Sequence, residues 1–469
     1  MSQSYFRSDT VAALSSAVGG AIAIVRISGP GAFQALQQLS QSAKNEKREP
    51  AKLVRTQLYQ RNGKALDDAM SVSFYAPNSF TGEDLVELHI HGGAFIAQRV
   101  LEDLGTFGVR QALPGEFSFR AVRNGKMSLF QAQAISDLIQ AKNDPALGIA
   151  VEKLLGNHSE FLNTLALDLR QLASLGELGI DFSDQDIEEV SIPALRLRAS
   201  KIQTLLQKLE DSFERGTKIQ EGFKAVFVGL PNAGKSTLFN AFLGEDRSIV
   251  SEVAGTTRDV VREHLTLRGK KTSITLRLED TAGLRQTHDK IEKFGIDRTI
   301  QAAGQADLVF FLVDPASEPE AAFHQWDDLV KNTRPDLAKN TLGIITKADL
   351  CSEEEIRAFI DQSRAFGIQQ WLVTSAKSGD GVSEAVEFIV SFCESRTPHT
   401  PGEILLTRLD HLAAVRKAKS EISQALVETE TELFASDIRQ ALHSLSPLIG
   451  ETSTDDLLEK IFSDFCIGK

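Results

Sequence analysis

The densest concentration of chemistry in the chain is Gly229-Leu-Pro-Asn-Ala-Gly-Lys-Ser-Thr237, which follows the apolar run Phe223-Lys-Ala-Val-Phe-Val228. A strand that breaks at glycine and re-forms as a helix after Lys235 turns backbone N–H groups and a helix N-terminus toward one point, where a polyphosphate fits. The spacing is that of a P-loop, G-x-x-x-x-G-K-[ST]. In it Gly229 and Gly234 let the backbone approach the phosphates, Lys235 reaches the β and γ oxygens, and the Ser236 hydroxyl takes a Mg2+ position. Asn232, Ala233, Gly234, Lys235, Ser236 and Thr237 are thus the expected nucleotide contacts of this turn.

Further short motifs stand downstream, at the ends of apolar runs. In Gly255-Thr-Thr-Arg-Asp259, Thr256 and Thr257 place adjacent hydroxyls in a loop, and Thr257 completes Mg2+ coordination beside the γ-phosphate. Asp280-Thr281-Ala282-Gly283 offers a carboxylate near Mg2+ and a glycine N–H to the γ-phosphate. Thr346-Lys347-Ala348-Asp349 supplies a carboxylate that accepts two hydrogen bonds from the N1 and N2 edge of guanine. Ser375-Ala376-Lys377 offers backbone N–H to guanine O6. Each motif alone is a common turn; their order along one segment selects guanine over adenine and GTP as the ligand. One gap remains in this set. Leu284 follows Gly283 where many GTPases carry the glutamine that orients the attacking water, and no arginine finger is evident.

The elements that must position these residues alternate between strand and helix over 222–391, with apolar runs at Phe223–Val228, Ile274–Leu278, Leu308–Val313, Thr341–Ile345 and Trp371–Val373. That pattern predicts a mostly parallel sheet covered on both faces, with ligand at the carboxyl ends of its strands. Residues 1–122 read as a compact α+β unit with strands at Ala21–Ile27, Met70–Tyr75 and Leu85–Ile90. From 123 to 221 the texture is helical, with a stripe of Val151, Leu154, His158, Phe161, Leu165, Leu169 and Leu172 expected on one helix. Helical texture returns over 392–469. The fold class is multidomain: an N-terminal α+β domain, a discontinuous α-helical domain, and an inserted α/β P-loop G domain.

Composition sets limits. A chain of 469 residues is too long for one core. It has no run of eighteen apolar residues and no signal-like N-terminus, so it is expected to be cytoplasmic with no membrane association. Cys351, Cys393 and Cys466 are too few and too scattered for a disulfide framework or a zinc site. A net charge of −13 disfavours nonspecific nucleic-acid binding over the whole surface.

Asn232 in the P-loop, Gly255-Thr-Thr-Arg-Asp259, Asp280-Thr-Ala-Gly-Leu-Arg285, Phe80-Thr-Gly-Glu-Asp84 with His91-Gly-Gly93, Pro114-Gly-Glu-Phe-Ser118 and the terminal Phe465-Cys-Ile-Gly-Lys469 together resemble the MnmE (TrmE) family of tRNA-modifying GTPases. The resemblance spans the chain. It implies that the N-terminal domain binds folate and dimerises. It implies a K+ ion held by Asn232 with Ser251, Val253 and Thr256, standing in for the arginine finger, and Glu292 as the water-activating carboxylate. It implies that Arg26, Glu87, Lys126 and Lys469 hold a 5-formyltetrahydrofolate or methylenetetrahydrofolate cofactor, and it puts Cys466 beside that folate. Without it, Arg26 and Lys126 read as solvated charges. The implied partners are a second copy of the chain, the FAD-dependent MnmG (GidA) in a heterotetramer or larger complex, and tRNA. The guanine motif begins with Thr346 where the family normally has asparagine, so weaker nucleotide affinity is expected. Two other readings are a ribosome-assembly GTPase, which the acidic chain fits poorly, and a folate-dependent one-carbon enzyme that the G domain only regulates.

Overall fold

The computed structural model describes residues 5–41, 49–181, 191–244, 248–252, 263–278, 292–317, 319–400, 402–449, 455–463, 465 and 468. The chain divides into two compact units, one of residues 1–139, 152–206 and 413–469, the other of residues 140–151 and 207–412.

In the first unit, β1 (Val11–Leu14), β2 (Ile22–Ser28), β3 (Val54–Tyr59), β4 (Ala65–Phe74), β5 (Leu85–His91) and β6 (Arg110–Gln111) form one sheet in the order β3-β4-β5-β2-β1-β6. The period-two alternation of β2 and β5 decides what each face carries. Ala23, Val25 and Ile27 join Val86, Leu88 and Ile90 under the helices Ala32–Ser40 and Ala94–Thr106. Arg26 and Glu87, which face each other across the antiparallel pair, lie on the other side.

The helical part of this unit pairs the helix Asn157–Asp181 with Thr431–Ser444. A Cβ on Gly176 would stand 2.9 Å from the Ala435 Cβ, so the helices approach through small residues. The predicted stripe does not lie on one helix. Val151 and Leu154 belong to Asp144–Leu154, which ends before Gly156 at φ +90°, and His158 lies in the first turn of Asn157–Asp181. Apolar spacing of three and four continues across a two-residue turn, which periodicity alone does not reveal.

In the second unit, β7 (Phe223–Val228), β8 (Ser248–Glu252), β9 (Glu263–Arg268), β10 (Ser273–Leu278), β11 (Leu308–Val313), β12 (Thr341–Ile345) and β13 (Gln370–Val373) form a sheet in the order β13-β12-β11-β7-β10-β9-β8. The run from β13 to β10 is parallel; β9 is antiparallel to β10 and β8 to β9. Both faces are covered. Phe223, Ala225 and Phe227 pack under the helices Lys235–Gly244 and Val382–Arg396, while Val226 and Val228 share the opposite core with Trp326 and Phe359.

Candidate active site

The turn after β7 uses its two glycines for different reasons. A Cβ on Gly229 would stand 2.5 Å from the Leu312 carbonyl oxygen, so this position is set by close approach to β11. Gly234 has ordinary space around it but adopts φ +84°, a left-handed conformation that favours glycine. Asn232 is left-handed as well, at φ +64°, a conformation asparagine tolerates better than most residues. The helix then starts at Lys235, with Ser236 half-buried and Thr237 exposed in its first turn.

Lys235 Nζ donates to the carbonyls of Gly229 at 2.7 Å and Leu230 at 2.8 Å. Burial pushes its pKa below the ordinary lysine value. Partial dipoles thus surround an ammonium that a phosphate would neutralise.

Beside this turn is a cavity of about 220 Å³ lined by Gly234, Thr237, Leu238, Thr346, Lys347, Asp349, Leu350, Thr374, Ala376 and Lys377. It brings together the P-loop, the motif after β12 and the motif after β13, all at the carboxyl ends of parallel strands. The exposed Asp349 carboxylate accepts 2.7 Å from Ser375 Oγ, and that bond holds its pKa below the usual carboxylate range. The Ser375 amide donates to the Asp380 carbonyl at 2.9 Å, and Ala348 N donates to the Thr374 carbonyl, which ties the two loops together. Thr346 Oγ1 donates to the carbonyls of Ala233 at 2.8 Å and Val313 at 3.2 Å, linking the loop after β12 to the P-loop.

Leu350, Thr374 and Asp314 are absent from the sequence expectations. Asp314 follows β11, the neighbour of β7, and its position at a strand's carboxyl end was the available signal. Ser251 lies in β8 and Glu292 opens the helix Glu292–Gln305. Val253, Thr256, Thr257, Asp280, Thr281, Ala282, Gly283, Cys466 and Lys469 lie outside the described residues.

With this geometry in place, comparison with known proteins becomes specific. The family model of the GTP-binding protein TrmE N-terminus matches residues 10–126, and that of the MnmE helical domain matches residues 129–466. The tRNA modification GTPase MnmE of Christiangramia forsetii is 36% identical, over 98% of this chain and 99% of its own. Those of Flavobacterium johnsoniae and Pseudomonas fluorescens are each 37% identical, with the same coverage. The chain belongs to the MnmE family.

In the N-terminal sheet, Arg26 and Glu87 lie on the face opposite the two helices, where Phe80 and Phe117 pack. Arg26 bonds Glu87 Oε1 through Nε at 3.0 Å and Nη2 at 2.8 Å. Its guanidinium lies 5.1 Å from the centre of the Phe80 ring and 5.6 Å from that of Phe117, so it is not the solvated charge its sequence context implies. His89 Nε2 is buried without a hydrogen bond, 3.7 Å from Glu87 Oε2. Lys126 is exposed, with its stem against Gly82 in the turn that carries Phe80. Buried Gly468 packs against the Leu14 carbonyl, at the end of the strand paired with β2.

The motifs around Glu83 and Glu116 serve a different purpose. Buried Arg120 donates to Glu116, Glu83 and Asp9, and Arg110 to Asp9 and Glu116, within a closed set of hydrogen bonds. This network was not legible in sequence, because its members come from four separate stretches. Cys351 and Cys393 are free thiols, and burial pushes Cys393 up to about 12.

Proposed function

We propose that the chain hydrolyses GTP in a K+-dependent reaction. With an FAD-dependent protein of the MnmG (GidA) type, it would add a carboxymethylaminomethyl or aminomethyl group to C5 of the wobble uridine of tRNA. The observation that carries this reading is the convergence of the P-loop with Asp349 and Ala376 at one cavity, in a chain of the MnmE family. Asp349 accepts from guanine N1 and N2, and the amide of Ala376 meets O6. Ser236 and Thr257 hold Mg2+, and Asp280 to Gly283 face the γ-phosphate. The half-buried Ser236 and the carbonyl-bound Lys235 ammonium suit that polyphosphate chemistry.

Asn232, with Ser251, Val253 and Thr256, holds K+, which supplies the positive charge an arginine finger would otherwise bring. Glu292 orients the attacking water. In the N-terminal domain, Arg26 beside the Phe80 and Phe117 rings and bonded to Glu87, with His89 Nε2 buried without a hydrogen bond nearby, suits a flat polar ring such as a pterin. With Lys126 and Lys469 these residues hold a methylene- or formyl-tetrahydrofolate, the source of the added carbon, and Cys466 lies beside it.

The domain layout proposed is 1–122 for folate binding and dimerisation, 123–221 and 392–469 for the helical domain, and 222–391 for the G domain. G domains pair across a homodimer in the cytoplasm. Among the described residues no helix is long and apolar enough to cross a membrane.

GTP turnover in K+ and in Na+ tests the cation: K+ is expected to be the faster, and equal rates exclude that role for Asn232. Mass spectrometry of tRNA nucleosides from a deletion strain tests the modification, and unchanged wobble uridines defeat the reading.

A further inference from the structure

Lys347 stands at the wall of the base-side cavity in a left-handed conformation, φ +53°, that few residues other than glycine adopt. Its ammonium is anchored away from the cavity lining: Nζ donates to Asp314 Oδ2 at 2.8 Å. Asp314 is only 9% exposed, and its second oxygen, Oδ1, accepts from Ala316 N at 3.1 Å. Asp314 itself does not line the cavity. A buried carboxylate therefore grips the far end of a long, flexible side chain whose methylene stem is left to form the wall.

We infer that Asp314 is a positioning residue for the nucleotide base: it fixes the Lys347 stem in one rotamer before the ligand arrives, as a flat apolar wall for the purine ring. A free lysine samples many rotamers, and ordering it on binding weakens affinity. Asp314 removes that loss in advance. Recognition of the base edge belongs to Asp349, so Asp314 governs how tightly any purine is held and leaves the choice among purines untouched. The inference rests on the reading of this cavity as the guanine site.

The test is Asp314→Asn, which keeps an oxygen for Ala316 N and removes the ion pair. Binding of GTP, ITP, ATP and inorganic tripolyphosphate is measured by calorimetry on the full chain, alone and with Lys347→Met. GTP and ITP affinities are expected to fall by about tenfold, the scale of one charge-assisted hydrogen bond, with their ratio unchanged. Tripolyphosphate, which has no base, should bind as to the wild type. In the Lys347→Met background, Asp314→Asn should add nothing, since both act through one side chain. Unaltered GTP affinity, an equal loss for tripolyphosphate, or additive effects in the double variant would each overturn the inference. A wild-type protein that binds ATP as tightly as GTP would instead undo the guanine reading, a separate result of the same titrations.

Discussion

Arg120 is buried and Lys235 half-buried, and the protein surrounds their charges in opposite ways. Arg120 is 2% exposed and meets carboxylates on every side: Glu116 Oε1 at 2.8 Å, Glu83 Oε2 at 2.9 Å and Asp9 Oδ1 at 3.1 Å. Lys235 meets only carbonyl dipoles among the described residues. A buried charge is tolerated when it is paired and hydrogen-bonded. The first arrangement is complete and serves the fold. The second, among the described residues, offers its ammonium no carboxylate, which suits it to an incoming anion.

The largest effect should come from breaking the complete arrangement. Arg120→Ala leaves Glu116, which is fully buried, without one of its two arginines, and truncating one partner of such a set costs about 3–5 kcal/mol. Urea denaturation followed by hydrogen exchange at β1 and β2 should show that loss, with GTP affinity unaltered. Equal stability would mean that Arg110 alone, bonded to both Asp9 and Glu116, satisfies the cluster.

Lys235→Met should do the reverse, lowering GTP hydrolysis by about 10²–10³-fold, the range for removing one preorganised donor, without loss of stability. The pH dependence sharpens the contrast. Burial lowers the Lys235 pKa below the ordinary lysine value of 10.5, so between the two pKa values the unfolded state binds more protons. Stability attributable to this group therefore rises with pH toward 10.5. Polyphosphate affinity moves the other way, because the anion needs the ammonium. Both trends should vanish in Lys235→Met; an affinity that is flat with pH in the wild type would remove Lys235 from phosphate binding.

The two regions also differ in how far sequence exposes them. The P-loop and the base motifs are local: each is a short string whose residue types are dictated by one ligand, and the central strands around them are apolar runs. β8 (Ser-Ile-Val-Ser-Glu) and β9 (Glu-His-Leu-Thr-Leu-Arg) carry charge at the antiparallel edge, and neither reads as a strand. Among the N-terminal strands, two-residue β6 pairs with β1 across about a hundred residues, a pairing set by tertiary contacts. The Arg120 network is non-local in the same sense. Glu83 and Glu116 are visible as parts of family motifs, but only the fold shows that they share one arginine. Arg26 likewise becomes distinctive only when Phe80 and Phe117 close over it.

Thr346 lies between the two extremes, a neutral donor that ties the site to its scaffold, and its effect should be the smallest. One hydroxyl proton serves two carbonyls, Ala233 at 2.8 Å and Val313 at 3.2 Å, so at any moment one of them is bonded weakly. Thr346→Val keeps the volume and removes the donor, at about 1 kcal/mol, or roughly a fivefold loss of GTP affinity if the bond to the P-loop is the one that matters for nucleotide. Thr346→Asn brings an amide with two donor hydrogens, one for each carbonyl, and should bind GTP a few-fold more tightly than the wild type. Calorimetric titration of the three proteins with GTP orders them Asn, Thr, Val. If Thr346→Val binds like the wild type while losing stability, the hydroxyl braces β11 through Val313 and the P-loop holds its shape without it.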